Sequence, residues 1–190
     1  DSGDLPEEAF NITGSCKYKF AYDSWNWYID TYGNRIKTSG ITDCQNMFLN
    51  SYALELIPFD INCSNTGTVS GFNSMFYECN KLREIPRIRG ALVSMGTGVL
   101  GDFMRNCKRV RYMPDDYFDE IDFSKITNCN SKYYYIGSSI FYGCASLRKI
   151  PTKFIRYDNP QANTSVYPNL FNSCYAADEI TNIPCPYATD

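Results

Sequence analysis

The stretch Met75–Pro86, MFYECNKLREIP, decides the fold of this 190-residue chain, because versions of it return along the sequence. Clear copies run over 103–114 (FMRNCKRVRYMP) and 140–151 (IFYGCASLRKIP). Related phrases cover 47–58 (MFLNSYALELIP) and 170–184 (LFNSCYAADEITNIP), with a worn first copy, KFAYDSWNWYID, at 19–30. The second residue of each phrase is its anchor: Phe20, Phe48, Phe76, Met104, Phe141 and Phe171. The anchors are 28, 28, 28, 37 and 30 residues apart, a period that predicts a solenoid of stacked repeats.

Two periodicities meet within one phrase. Phe76, Cys79 and Leu82 follow the i, i+3 spacing of one helical face. The Leu-x-x-Ile-Pro part predicts a short strand, because proline pushes its preceding residue towards extended conformations. Each repeat is therefore predicted to hold one or two helical turns, a tight bend and a strand. Such a unit buries its apolar side only by stacking on its neighbours.

The core Phe76-x-x-Cys79-x-x-Leu82-x-x-Ile85 resembles the repeat of the BspA-like leucine-rich-repeat family, and the resemblance covers residues 19–184. It implies an α/β fold, a leucine-rich-repeat solenoid of about six repeats with a parallel sheet on one face and short helices or turns on the other. It also implies the roles common in that family, which are surface adhesion in bacteria and some parasites, and structural parts of phage. The repeats are longer than usual for the family, and the interval from Met104 to Phe141 contains an insertion.

The predicted organisation is a single domain. An N-terminal extension (1–18) precedes the solenoid (19–184), which has an insertion at about 115–138, and a C-terminal tail (185–190) follows. No apolar run approaches the roughly 20 residues that span a membrane, so no membrane insertion is expected. A signal peptide is not visible and the chain begins at Asp1 without Met, which indicates a processed product or part of a longer protein.

The nine cysteines fall into two groups. Four share one slot of the repeat, where an earlier copy has Ser51 and the first has Asp23: Cys79, Cys107, Cys144 and Cys174. They are predicted to be buried free thiols, because a free cysteine packs as a small hydrophobe and helices lie about 10 Å apart, beyond disulfide reach. The others leave room for one or two bridges: Cys16, Cys44, Cys63, Cys129 and Cys185. Abundant free thiols fit folding in a reducing cytoplasm, which favours a virion component over an exported adhesin.

The residue types argue against catalysis. The chain has no histidine, which removes histidine-based nucleophilic sites, histidine-based zinc sites and the commonest general base. No cysteines have zinc-ligand spacing and no phosphate-binding glycine loop is present, so we predict no enzyme, no metal and no cofactor. A carboxylate pair for glycoside hydrolysis is the one route left open. The net charge of −3 also argues against nucleic-acid binding.

One dense acidic run follows the third full strand: Asp115, Asp116, Asp119, Glu120 and Asp122. We interpret this run as a solvated loop, with calcium binding as the alternative.

Aligning the repeats predicts a recognition surface. Seven residues after successive anchors lie Glu55, Arg83, Arg111 and Arg148, and one residue further lie Leu56, Glu84, Tyr112 and Lys149. With strands in register about 4.8 Å apart, the three arginines form a column whose neighbours repel by about 0.8 kcal/mol in water. An anionic partner would relieve this repulsion, because arginine binds carboxylate, sulfate or phosphate in a bidentate manner. Interleaving by Glu84 and solvation are the alternative.

Aromatic residues extend this hypothesis. The insertion contains Tyr133, Tyr134 and Tyr135, which form a contact surface if exposed, whereas burial of alternate members is the alternative. Trp25, Trp27, Tyr28 and Tyr32 are predicted to cap the open end of the solenoid. The predicted binding residues are Arg83, Arg111, Arg148, Tyr112, Lys149, Tyr133, Tyr134 and Tyr135. The predicted partner is a protein or glycan, anionic in character, outside the cell or at its surface; the alternative is a virion, with other virion subunits as partners.

Overall fold

The computed structural model describes residues 4–63, 71–90, 100–117, 119–120, 139–150 and 172–176. Short 3₁₀ helices span Glu7–Phe10 and Gly33–Arg35, and one α-helix, α1, spans Asn26–Tyr32. Strand β1 (Asn11–Ser15) pairs with β2 (Lys37–Asp43), and β3 (Ile61–Asn62) pairs with β4 (Ile88–Arg89). Isolated bridges join Ile41 to Cys63 and Tyr112 to Lys149. Each of these pairings is parallel.

The repeat phrases form chains of tight turns that stack on one another. We call each of them a rung: residues 16–23, 44–51, 72–79, 100–107, 139–144 and 172–174. Within a rung the backbone N–H groups alternate between two acceptors. The N–H of Leu49 donates to the carbonyl of Asn46 three residues earlier, whereas that of Phe48 donates to Met75 in the next rung at 2.9 Å. The anchors Phe20, Phe76 and Met104 repeat the bond of Phe48, donating at 2.8–2.9 Å to Met47, Phe103 and Ile140.

This alternation corrects the helical turns predicted for the phrase. In the described rungs the backbone closes three-residue turns instead of a helix, because every second N–H is used between rungs. A helix would direct those donors to carbonyls four residues back and leave none for the neighbouring repeat. The alternating pattern satisfies the buried backbone groups both locally and across the stack.

Left-handed backbone conformations occur at two fixed positions, two residues before and two residues after the anchor. The residues with positive φ there are Tyr18, Tyr22, Asn46, Asn50, Ser74, Glu78, Asp102, Asn106, Ser139, Gly143 and Ser173. Glycine, asparagine and aspartate adopt this conformation at the lowest cost. The turn chemistry therefore explains why short polar residues flank most anchors.

The core consists of columns that run from rung to rung. The ring of Phe48 stacks on those of Phe20 and Phe76, with centroids 5.3 and 5.5 Å apart and planes within 18°. After each rung the leucine of the repeat is buried, and the burial predicted for this position is confirmed at Leu54, Leu82, Val110 and Leu147. These columns belong to one continuous hydrophobic cluster.

The strands do not lie where the sequence predicted them. Strands β3 and β4 come after Pro58 and Pro86, whereas the preceding Leu-x-x-Ile parts are extended but pair only at single points. We call these parts the extended segments: residues 54–58, 82–86, 110–114 and 147–150. Proline has no N–H to continue a strand pairing, so the extended segments that precede Pro58 and Pro86 end there.

The N-terminal residues join the stack earlier than predicted. Strand β1 pairs with β2, and the N–H of Cys16 donates to Asp43 at 2.8 Å, so the boundary predicted at residue 18 does not coincide with a break in pairing. Helix α1 packs beside them, since the hydroxyl of Tyr28 donates to the carbonyl of Ala9 at 2.6 Å. Among the predicted capping residues Tyr28 is buried, whereas Trp25 and Trp27 are exposed.

The cysteine slot donates a hydrogen bond to the preceding rung. Cys79 Sγ lies 3.1 Å from the carbonyl oxygen of Phe48, and Cys107 Sγ lies 3.0 Å from that of Phe76. Cys144 and Cys174 make the same contact at 3.0 Å, with Met104 and Phe141, and Ser51 makes it with Phe20 at 2.8 Å. Viewing the slot as only a small apolar space missed this donor role.

The prediction that these four cysteines are free is confirmed, and three of them are fully buried, whereas Cys174 is partly exposed. The reason given for it was wrong. Hydrogen-bonded rungs lie about 4.8 Å apart rather than 10 Å, so distance alone does not prevent a bridge. Burial raises the pKa of the Cys174 thiol to about 11 and raises the pKa values of Cys79, Cys107 and Cys144 as well, so these thiols stay protonated donors.

Candidate recognition surface

The extended segments carry the predicted binding residues, and the described ones are all exposed: Arg83, Arg111, Tyr112, Arg148 and Lys149. Backbone hydrogen bonds set their register. The N–H of Arg148 donates to the carbonyl of Arg111 at 2.8 Å, and the N–H of Met113 donates to that of Lys149 at 3.0 Å. Together with the bridge from Tyr112 to Lys149, these bonds confirm the predicted alignment of the two segments.

Arg83 is aligned with a different neighbour. Its N–H donates to the carbonyl of Glu55 at 3.1 Å, and its guanidinium forms an ion pair with the carboxylate of the same residue. Glu55 and Arg83 therefore neutralise each other at the same position of two adjacent segments. The structure thus brings Arg111 and Arg148 together as a like-charged pair, while Arg83 has its own counterion.

Lys149 also has an acidic neighbour. Its ammonium lies 2.9 Å from Asp115, and both side chains are more than half exposed. An exposed ion pair of this kind contributes about 0–1 kcal/mol, because water competes for both charges. The pair therefore orients Lys149 beside Tyr112 without fixing it there.

The acidic run is bonded to the preceding repeat, which corrects its interpretation as a solvated loop. Asp116 pairs with Arg87 at 2.9 Å, and Glu120 pairs with Arg89 at 3.1 Å. Glu120 also accepts the N–H of Gly90 at 2.6 Å. Between these two carboxylates Tyr117 is buried, and its hydroxyl donates to the carbonyl of Pro86 at 2.8 Å. These contacts use the carboxylates to hold residues 115–120 against β4; Asp122 lies outside the described residues.

The same contacts shift the carboxyl pKa values. A hydrogen bond from the Arg87 guanidinium lowers the pKa of Asp116. The backbone N–H of Gly90, with help from the Arg89 guanidinium, lowers the pKa of Glu120. Both carboxylates are therefore ionised at neutral pH and suit ion pairing, whereas a general acid needs a raised pKa.

Sequence reasoning missed a cation that lies on the rungs themselves. The guanidinium of Arg105 lies 5.5 Å from the ring centroid of Tyr77 and 4.6 Å from that of Tyr142, and it pairs with Asp102 at 3.2 Å. Such stacking of a guanidinium on aromatic faces stabilises neighbouring rungs. The signal was present in the sequence, because these three residues each follow an anchor directly.

Several predicted features are outside the described residues, namely Tyr133–Tyr135 and the cysteines Cys129 and Cys185. Within the described ranges, no group of three or more acidic, histidine or cysteine side chains is arranged to hold a metal ion. In the same ranges no helix has the length and apolar character needed to cross a membrane.

Comparisons of this chain with protein-family models, with curated proteins and with solved structures gave no match. The contacts described above are therefore what the functional proposal depends on.

Proposed function

We propose that this chain is a non-catalytic recognition module, built as a leucine-rich-repeat-like solenoid, that binds an anionic glycan or protein through its extended segments. The observation that carries the proposal is the register of Arg111 and Tyr112 with Arg148 and Lys149. Two neighbouring segments present three cations and one phenol ring on exposed positions. Guanidinium groups bind carboxylate, sulfate and phosphate in a bidentate manner, and tyrosine adds a rigid ring with a polar tip.

The charges of this surface favour an anionic partner. The side chains of Arg111 and Arg148 start from backbones joined by a 2.8 Å hydrogen bond, so their charges repel at short range. The ion pair of Lys149 with Asp115 is exposed and weak, so an incoming anion can exchange for it. Arg83 contributes less in this proposal, because Glu55 already supplies its counterion. Tyr133, Tyr134 and Tyr135 are proposed at the edge of the surface on sequence grounds.

The resemblance to BspA-like repeats supports an extracellular or cell-surface location and a role in adhesion. In this role the chain needs no cofactor and has no turnover of its own. The absence of histidine supports the same conclusion.

A structural subunit of a phage virion is the second candidate, in which the same surface packs on neighbouring subunits. The observation that favours it is the chemistry of the cysteines. All seven that the structure describes are free: Cys16, Cys44, Cys63, Cys79, Cys107, Cys144 and Cys174. Free thiols persist in the reducing cytoplasm, where virions assemble.

Binding to a panel of sulfated, carboxylated and neutral glycans, read by surface plasmon resonance, tests the recognition role. The variant Arg111→Gln/Arg148→Gln/Lys149→Gln removes the proposed surface. Its matched control, Lys19→Gln/Lys81→Gln/Lys108→Gln, removes the same charge at other exposed positions. We expect wild type and control to bind the acidic glycans with affinities within about twofold of each other, and the surface variant to lose at least about tenfold, as one lost charge contact of 1.5 kcal/mol already gives.

Salt provides the second reading of this experiment. Wild-type binding should weaken as ionic strength rises from 0.05 to 0.5 M, because exposed charges are screened over about 10 Å at 0.1 M. Equal affinity of all three proteins, or equal loss in both variants, would contradict the proposal. If wild type binds no glycan but self-associates, and only the surface variant abolishes this association, the assembly role is favoured instead.

A further inference from the structure

Three of the described thiols lie outside the cysteine slot and converge in the core. Cys16 follows β1, Cys44 follows β2 and Cys63 follows β3, and the three are 0%, 0% and 6% exposed. The sulfur atoms of Cys44 and Cys63 are 4.0 Å apart. No other contact between cysteine sulfurs is this close within the ranges that the structure describes.

The backbone holds this pair firmly on both sides. The N–H of Cys63 donates to the carbonyl of Arg89 at 2.8 Å, and Cys63 is bridged to Ile41, three residues before Cys44. The N–H of Cys44 donates to Gly71 at 3.3 Å. The two side chains therefore meet because hydrogen-bonded segments bring them together.

The slot cysteines differ from this pair in what their thiols contact. Each slot thiol donates to a carbonyl of the preceding rung at 3.0–3.1 Å, so a bridge between two of them would cost two hydrogen bonds. The thiols of Cys44 and Cys63 face each other instead. A bond between them costs only their mutual contact.

We propose that Cys44 and Cys63 form an intramolecular disulfide when the chain folds in an oxidising thiol–disulfide buffer, while the slot cysteines stay reduced. A disulfide needs its sulfurs about 2.05 Å apart, so each sulfur has to move by about 1 Å. A modest rotation about the Cα–Cβ bonds supplies this movement. Cys16 is the competing third thiol, and the backbone bridge beside Cys63 favours Cys44 as the partner.

The chemistry is a two-step thiol–disulfide exchange with a small-molecule disulfide such as oxidised glutathione. Cys63, the more exposed of the two, loses its proton and its thiolate attacks one sulfur of the oxidant, forming a mixed disulfide and releasing one thiol. The thiolate of Cys44, after losing its proton to solvent, attacks the sulfur of Cys63 and releases the second thiol. Two cysteines are thus oxidised by two electrons, and the small-molecule disulfide is reduced to two thiols.

Burial sets when this reaction occurs. The hydrogen bond with Cys63, together with burial, raises the pKa of the Cys44 thiol, so the folded protein holds few thiolates and reacts slowly. The bond therefore forms during folding, when both side chains reach solvent. A chain that folds in the cytoplasm keeps both thiols, and a chain that folds in an exported compartment acquires the bridge.

Peptide mapping of the wild-type chain is the primary test. The chain is refolded in a mixture of oxidised and reduced glutathione, alkylated in denaturant, and digested with trypsin and a protease that cleaves after glutamate. Cleavage after Lys37, Glu55 and Glu78 separates Cys44 (peptide 38–55) from Cys63 (peptide 56–78) and from Cys79. We expect these two peptides to be linked, with the peptides of Cys79, Cys107 and Cys144 fully alkylated.

Thermal unfolding provides an independent reading. A bridge that closes residues 44–63 should raise the Tm of the oxidised protein over the reduced protein by about 5–10 °C. The variant Cys44→Ala/Cys63→Ala should lose this difference, and Cys16→Ser should keep it. The proposal is overturned if peptides 38–55 and 56–78 are both alkylated after oxidative refolding, or if Cys16 is linked to either of them. The peptide map decides even where a variant does not fold.

Discussion

Replacing Cys107 asks whether the cysteine slot is a hydrogen-bond donor or only a small apolar space. Cys107 is fully buried, and its thiol donates to the carbonyl of Phe76 at 3.0 Å. In rung 44–51 the same slot holds Ser51, whose hydroxyl donates to Phe20 at 2.8 Å. A donor role predicts that Cys107→Ser is tolerated better than Cys107→Ala, and an apolar role predicts the reverse.

The magnitudes follow from what each change removes. Cys107→Ala removes one buried heavy atom, worth about 1 kcal/mol by analogy with a buried methylene, and one hydrogen bond worth about 0.5–1.5 kcal/mol. The expected loss of unfolding free energy is therefore about 2 kcal/mol. Cys107→Ser keeps the donor and loses only part of the buried volume, so about 1 kcal/mol or less is expected. In a chain of this length these losses lower the Tm by about 4–8 °C and by about 4 °C or less.

Urea unfolding followed by tryptophan fluorescence measures both variants, with a reductant present so that all thiols stay reduced. The midpoint should fall in the order wild type, serine variant, alanine variant, with an unchanged slope. The matched pair Cys79→Ser and Cys79→Ala repeats the comparison one rung earlier, where the thiol donates to Phe48. A serine variant that is less stable than the alanine variant at both positions would refute the donor role.

Three further predictions concern packing, turn geometry and charge. Leu82→Ala should cost about 2–5 kcal/mol in urea unfolding, because this side chain is fully buried in the core cluster. Gly143→Ala should lower the Tm more than an exposed alanine substitution does, since Gly143 has φ +69° and an added Cβ would come within 1.9 Å of Asn106 Oδ1. The pKa values of Asp116 and Glu120 are lowered in the folded state, so their stabilisation is present above the ordinary carboxyl pKa values of 3.8 and 4.5 and is lost as pH falls through the folded values. Urea titrations between pH 7 and pH 3 should show that acid loss, and it should shrink in the double Asn/Gln variant of these two carboxylates.

The repeat length carried most of what could be predicted from the sequence. Because successive anchors are 28 residues apart, alignment by the anchor places Arg83 opposite Glu55, and the same rule across the insertion places Lys149 opposite Tyr112. The backbone bonds at both places follow this rule. The periodic apolar positions likewise identified the buried leucine column, since a stacked repeat buries the same position in every copy.

The local structure of the rungs could not be read from the apolar spacing. An i, i+3 pattern fits a helix, but it also fits a chain of three-residue turns, and Phe76 and Cys79 lie in the second. The informative signal was in the polar residues, because Asn46, Asn50 and Asn106 occupy left-handed positions that a helix does not contain. Reading those columns would have predicted turns.

The ion pairs of the acidic run could not be predicted either, because they follow a different spacing. Glu120 lies 31 residues after Arg89, and Arg89 lies 29 residues after Asp60, so neither pair matches the 28-residue period. Between the extended segment of one repeat and the rung of the next, the length of the connection varies. Pairing there depends on the folded path and not on the period of the sequence.

The alignment of the recognition surface depends on hydrogen bonds between repeats, and NMR scalar couplings across hydrogen bonds detect them directly. In a deuterated, ¹⁵N,¹³C-labelled sample, the amide nitrogen of Phe48 should couple to the carbonyl carbon of Met75, and that of Met113 to the carbonyl carbon of Lys149. The stacked rungs predict both correlations. A coupling of Phe48 to Cys44, four residues earlier, would instead indicate a helix and would contradict the register on which the surface of Arg111, Arg148 and Lys149 is built.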